Sequence, residues 1–133
     1  LFRSMDGPNK GRFEQIKKNL IGQELMSPEV FSVYTTAQPE NIKILKASGE
    51  SMSPTINPGD LLWLDTSYSM PSSDGIYLLN TTGDAVIKRL QINPFDNSIE
   101  VSSDNKAYKT FNITNYKNLN ICGKIIFIAH KLA

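Results

Sequence analysis

Cysteine is almost absent from the 133 residues: Cys122 stands alone, so the chain can form no internal disulfide and no cysteine zinc cluster. Histidine is as scarce. With His130 its sole representative, histidine-based triads are removed unless that residue sits beside a nucleophile. Charge of one sign is lacking too: 14 basic and 13 acidic side chains leave a formal net charge of +1. A domain that grips nucleic acid by itself is usually visibly basic, so direct DNA binding by this stretch is not expected and its partners are expected to be proteins. The longest apolar run, Ile125-Ile126-Phe127-Ile128-Ala129, falls far short of the ~20 residues that span a bilayer. Nor does Leu1-Phe2-Arg3-Ser4-Met5 form the apolar region of a secretion signal. A soluble, cytoplasmic protein without membrane contact is the expectation. An initiating methionine is also missing. The chain reads as a fragment, with Leu1–Ser4 a remnant of cloning and something absent upstream.

What is present is ordinary in bulk and organised in detail. A 40% hydrophobic and 20% charged composition suits one soluble domain with a real core. Residues 1–41 read as an N-terminal linker or arm, opening on the breakers Gly7-Pro8-Asn9-Lys10-Gly11. Within it Phe13, Ile16 and Leu20 recur at helical spacing and predict one or two helical turns. From Ile42 the texture changes to short apolar segments separated by turn chemistry, the pattern of an all-β domain. The predicted strands are 42–47, 61–65, 75–80, 85–91, 99–102, 111–113 and 121–131. Asn57-Pro58-Gly59-Asp60, Pro71-Ser72-Ser73-Asp74 and Asn93-Pro94-Phe95-Asp96-Asn97 lie between them, and Thr82-Gly83-Asp84 predicts a tight hairpin. The fold class expected over 42–133 is mostly β, a single small domain of short, strongly twisted antiparallel strands.

Two segments carry candidate chemistry. In Ser48-Gly49-Glu50-Ser51-Met52-Ser53-Pro54 a glycine and a proline bracket a serine just after a predicted strand. Such a turn lets backbone approach a substrate and can present a hydroxyl together with N–H groups. The plainer reading is that these serines are simply turn formers. In Ala85-Val86-Ile87-Lys88-Arg89-Leu90, strand alternation puts Lys88 on one face with Val86 and Leu90. Burial there would disfavour the ammonium and make the lysine a base near neutral pH. The rival reading has its stem pass the apolar neighbours to reach water.

Together the two segments resemble the LexA-type serine–lysine self-cleaving peptidase family, which includes LexA, the lambda-type phage repressors and UmuD. The resemblance runs through Ser48 to Ile56, Pro58-Gly59-Asp60 and Val86 to Leu90. It continues in Val101-Ser102-Ser103-Asp104-Asn105-Lys106-Ala107-Tyr108 and closes in Ile121-Cys122-Gly123-Lys124-Ile125-Ile126-Phe127. It implies the fold of the LexA and signal-peptidase domains, a β-clip, with no cofactor and no metal. It also implies Ser51 as nucleophile and Lys88, neutral when active, as general base. The backbone N–H groups of Glu50 and Ser51 become candidates for the oxyanion hole, with Gly49 and Met52 supporting the substrate cleft. The implied partners are a second copy of the chain, the RecA filament, and operator DNA reached only through a helix-turn-helix domain upstream.

Two departures qualify these expectations. The family cleaves itself at Ala-Gly or Cys-Gly upstream of the serine, and no such dipeptide precedes Ser51. Gly22 follows the bulkier Ile21, and Cys122-Gly123 lies on the last predicted strand. Three alternatives stay open: a cleavage site upstream of residue 1, an atypical bond, or a dimerisation module that no longer cleaves. In addition, some members place a threonine two residues before the lysine to hold its amine, where this chain has Val86. A looser lysine is expected. A UmuD-like polymerase subunit is a further alternative. Type I signal peptidase is set aside because Leu90-Gln91-Ile92-Asn93-Pro94 follows the lysine in place of that enzyme's Gly-x-Pro-Gly-Asp.

Other residues invite simpler readings. Asp60, Asp65, Asp74 and Asp84 sit at or beside predicted turns, where aspartate serves hydrogen bonding rather than a metal. Trp63 is expected in the core, Cys122 as a small buried hydrophobe, and His130 as a surface or pairing histidine.

Overall fold

The computed structural model describes residues 2–3, 35–130 and 132. The helical turns expected between Phe13 and Leu20 lie outside the described residues. Eight strands are seen among the described residues: β1 (Phe2–Arg3), β2 (Ile42–Ala47), β3 (Leu61–Asp65), β4 (Gly75–Asn80), β5 (Ala85–Ile92), β6 (Ile99–Ser102), β7 (Phe111–Ile113) and β8 (Asn120–Ala129). They form one sheet in the order β1-β2-β3-β8-β4-β5-β6-β7, and every neighbouring pair is antiparallel. The mostly-β expectation holds. No helix among the described residues is long and apolar enough to cross a membrane.

The local reasons are visible strand by strand. In β2, Lys43 and Lys46 are exposed while Ile42, Ile44, Leu45 and Ala47 are buried. The β4–β5 hairpin turns through residues 81–84, where Gly83 takes φ +97, a region closed to most side chains. There Thr81 donates to the Asp84 carbonyl from both its amide and its hydroxyl. Strand β8 runs down the middle, pairing with β3 on one side and β4 on the other. Its register shifts at Trp63/Leu64 and again at Leu78/Leu79, and such bulges bend a strand and increase local twist.

That coiled sheet encloses three apolar clusters. Ile42, Ile44 and Trp63 form one, with the Trp63 and Phe127 rings 5.2 Å apart. Tyr77, Leu79, Leu90, Ile99, Val101 and Ile121 form the second. The third anchors a loop. It joins Leu45, Leu62, Leu64, Leu78, Ile87 and Ile125 of the sheet to Met52 and Ile56 of the segment after β2. Burying a side chain of this size stabilises by about 1.5–3 kcal/mol, so the loop carrying Ser51 is pinned to the sheet by its own apolar residues.

Strand β1 was not foreseen in the stretch read as linker. Phe2 and Arg3 pair with Ala47 and Lys46, adding a two-residue edge beside the end of β2.

Candidate active site

The loop between β2 and β3 is closed at its base. Ala47 donates its amide to the Asp60 carbonyl over 2.8 Å and accepts from the Gly59 amide over 2.9 Å. Gly49 at φ 79 and Gly59 at φ 91 supply the left-handed corners. A Cβ at Gly59 would meet nothing within 4 Å, so backbone conformation and not space requires the glycine there. Inside the loop the Ser53 amide donates to the Glu50 carbonyl over 3.1 Å and the Ile56 amide to the Met52 carbonyl over 2.9 Å. The Asp60 carboxylate accepts from the Asn57 amide and pairs with His130 Nδ1, each over 2.8 Å. His130 is thus a pairing histidine, as expected. Asp65 accepts from Ser67, and Asp74 from the Ile92 amide; turn aspartates here bind protein hydrogens.

At the head of this loop Ser51 is only 8% exposed. It borders a small cleft lined, among the described residues, by Ala47, Ser48, Gly49, Ser51, Met52, Ile56 and Ile87. Gly49 and Met52 are thus among its lining residues. Glu50 and Lys88 do not line it, and the Glu50 side chain is exposed.

Lys88 is half-buried on β5, opposite Tyr77 in the β4–β5 register. Burial lowers the pKa of its amine from the ordinary lysine value. The amine donates to Ser103 Oγ over 2.6 Å and stands 5.8 Å from the centre of the Tyr108 ring. Val86 offers no hydroxyl on β5, and the one that reaches the amine comes from the end of β6.

Ser51 and Lys88 meet the same three consecutive residues. Ser103 takes the lysine amine. Asp104 receives Arg89 Nε over 2.7 Å and Arg89 Nη2 over 2.8 Å, accepts from Thr55 Oγ1, and offers its amide to Met52 Sδ over 3.5 Å. Asn105 donates its amide to the Ser51 carbonyl and its side-chain Nδ2 to the Glu50 carbonyl, both over 3.0 Å. The segment therefore ties Lys88 and Arg89 of β5 to Glu50, Ser51, Met52 and Thr55 of the serine loop. The Arg89 hydrogen bond holds the Asp104 carboxyl below the ordinary carboxylate range, and that same bond raises Arg89.

The Glu50–Ser51 peptide is trans, since the described cis bond is Ser53-Pro54. Carbonyl and following N–H point to opposite sides of a trans peptide. With Glu50 O held by Ser53 and Asn105, the Ser51 N–H is directed away from the 103–105 segment.

Comparison with known proteins accords with this arrangement. The model of the family described as Peptidase S24-like matches residues 10–126. The chain belongs to the Peptidase S24-like family. Among its relatives is a 26 kDa repressor protein of Escherichia phage HK022, 36% identical over 89 residues, covering 65% of this chain and 37% of the phage protein. Another is an uncharacterized HTH-type transcriptional regulator of Haemophilus influenzae, 32% identical over 113 residues, covering 84% of this chain and 46% of the regulator. The chain thus spans less than half the length of either relative. In this Peptidase S24-like chain, Ser103, Asp104 and Asn105 are the site residues to which sequence reasoning assigned no role. Their letters spell an ordinary turn, and only the Val101–Tyr108 stretch as a whole drew attention to the region.

Proposed function

We propose that this chain is the self-cleaving and dimerising domain of a transcriptional repressor, with Ser51 as nucleophile and Lys88 as general base. The observation that carries the reading is that one segment, 103–105, contacts both the lysine amine and the backbone of the serine turn. Partial burial lowers the Lys88 pKa, so its amine becomes neutral at a lower pH than an exposed lysine would, in the direction the chemistry needs.

In the proposed reaction the Lys88 lone pair takes the Ser51 hydroxyl proton as Oγ attacks the carbonyl carbon of a peptide bond held in the cleft. The Ser51 N–H, directed away from Asn105, donates to the developing oxyanion. The lysine ammonium then gives its proton to the departing amine, leaving an ester on Ser51. Water attacks this ester, with its proton passing to Lys88, and the new carboxyl end is released as Oγ recovers a proton. A segment of the same chain held in the cleft makes the attack intramolecular.

The relatives' names and greater lengths favour a repressor over a polymerase subunit. Operator DNA would be bound by a helix-turn-helix domain upstream, a second copy would bind this domain, and a RecA filament would stimulate cleavage. Incubating the full-length protein at alkaline pH and weighing the fragments tests the reading. Ser51-dependent fragments support it, and an intact chain would overturn it. The second reading, a dimerisation module without proteolysis, is motivated by the lack of Ala-Gly or Cys-Gly before Ser51, and an intact dimer under those conditions would favour it.

A further inference from the structure

We propose that Ser103 is the positioning residue of Lys88, replacing from the end of β6 the hydroxyl that β5 itself does not provide. The inference rests on the reading of Lys88 as the base. Two residues before Lys88, on the same strand face, stands Val86, which packs against the apolar cluster around Tyr77 and Leu90 and whose side chain can accept no hydrogen bond. The neighbouring strand fills that need. β6 pairs with β5 through Arg89↔Ser102, so the next residue, Ser103, emerges beside Lys88. Ser103 is 4% exposed, and its Oγ accepts from the amine over 2.6 Å.

A hydroxyl suits this task in both states of the base. The neutral amine has two N–H groups and one lone pair; giving one N–H to Ser103 fixes its rotation and leaves the lone pair to receive a proton. Once protonated, the ammonium gains a third donor and keeps Ser103 as acceptor, so the same contact persists when the proton is handed to the leaving amine. The four-carbon stem is otherwise flexible. Tyr108 limits one side by its ring face, a contact without the direction of a hydrogen bond.

The test compares self-cleavage rates of the full-length protein at the alkaline plateau, where lysine is neutral in all variants. Ser103→Ala is expected to lower the plateau rate by about 10- to 100-fold through misplacement of the base, with unfolding temperature and dimer content near wild type. Ser103→Thr is expected to keep most of the rate. Val86→Thr added to Ser103→Ala is expected to recover part of it, by returning a hydroxyl to the lysine's strand face. A Ser103→Ala plateau equal to wild type, or Ser103→Thr as slow as Ser103→Ala, would overturn the proposal.

A second readout does not need cleavage. With 13Cε-labelled lysine in Ser51→Ala protein, Ser103→Ala is expected to change the Lys88 side chain from one rotamer to averaging among several. An unchanged Lys88 signal would overturn the positioning role, whereas a wild type that never cleaves but shows this loosening would sink the dyad reading alone.

Discussion

Asn105 donates its side-chain Nδ2 to the carbonyl oxygen of Glu50 over 3.0 Å, fifty-five positions away in the chain. The same residue's Oδ1 accepts from the Ala107 amide over 3.0 Å, so both halves of the amide are used and its orientation is set. Together with the Ser53 amide, which donates to the same carbonyl over 3.1 Å, this side chain sets which way the peptide before Ser51 faces.

Replacing that amide should uncouple rate from stability. Asn105→Ala keeps the backbone bond to Ser51 and loses the one to Glu50, at a cost of about 0.5–1.5 kcal/mol in folding. The cleavage rate should fall more steeply, by about 10-fold or more, since a loosened Glu50–Ser51 peptide no longer aims its N–H. Asn105→Asp, which retains the Ala107 contact and sets a carboxylate against the Glu50 carbonyl, should be slower than wild type as well. Thermal melts alongside single-turnover rates check both.

The Asp104–Arg89 pair gives the domain an acid-sensitive joint. The Asp104 pKa is held below its ordinary 3.8, first by the Arg89 hydrogen bond and further by Thr55. For a carboxylate depressed by folding, the stabilisation is fully present above the unfolded-state value and disappears as pH falls through the folded one. Wild type should therefore lose stability as pH drops below about 3.8, the ordinary carboxylate value. Asp104→Asn should be less stable at neutral pH and flatter in that acid range. Denaturant midpoints measured between neutral and acid pH decide it; parallel curves for the two proteins would count against the joint.

Gly123 should tolerate no side chain. A Cβ there would meet the Asp65 carbonyl oxygen at 2.7 Å and Leu64 Cδ1 at 2.8 Å, because β8 lies hard against β3. Gly123→Ala should destabilise the domain by about 1–3 kcal/mol through overpacking, read as a lowered melting temperature. Gly123 is buried in a central strand between β3 and β4, so Cys122-Gly123 is not the accessible peptide that a protease site needs.

Much of the fold was legible. Five of the strands expected from Ile42 onward have the observed limits, most of them because Pro, Gly, Asn, Asp and Ser lie at or beside their ends in sequence. Strand β5 runs one residue further, to Ile92, and the last is Asn120–Ala129 where 121–131 was expected. Phe2–Arg3 was not legible: two residues carry no periodicity, and their pairing with Ala47 and Lys46 is non-local. Nor was the sheet order, in which β8 inserts between β3 and β4. For the site, the Gly49–Ser51 turn and the apolar flanks of Lys88 are local features and could be read. The 103–105 segment could not, since Ser-Asp-Asn after a strand looks like any turn until the structure brings it against residues 50, 51, 55, 88 and 89.

The central claim is that Ser51 attacks and Lys88 takes its proton. It is tested most directly by the pH dependence of self-cleavage in the full-length wild type, Ser51→Ala and Lys88→Arg. Arginine keeps the charge but cannot lose its proton in this range. Because burial lowers the Lys88 pKa from 10.5, the wild-type rate should climb with pH and level off with a midpoint below that value, while both variants remain intact at every pH. Cleavage of Lys88→Arg or Ser51→Ala at the wild-type rate would contradict the account.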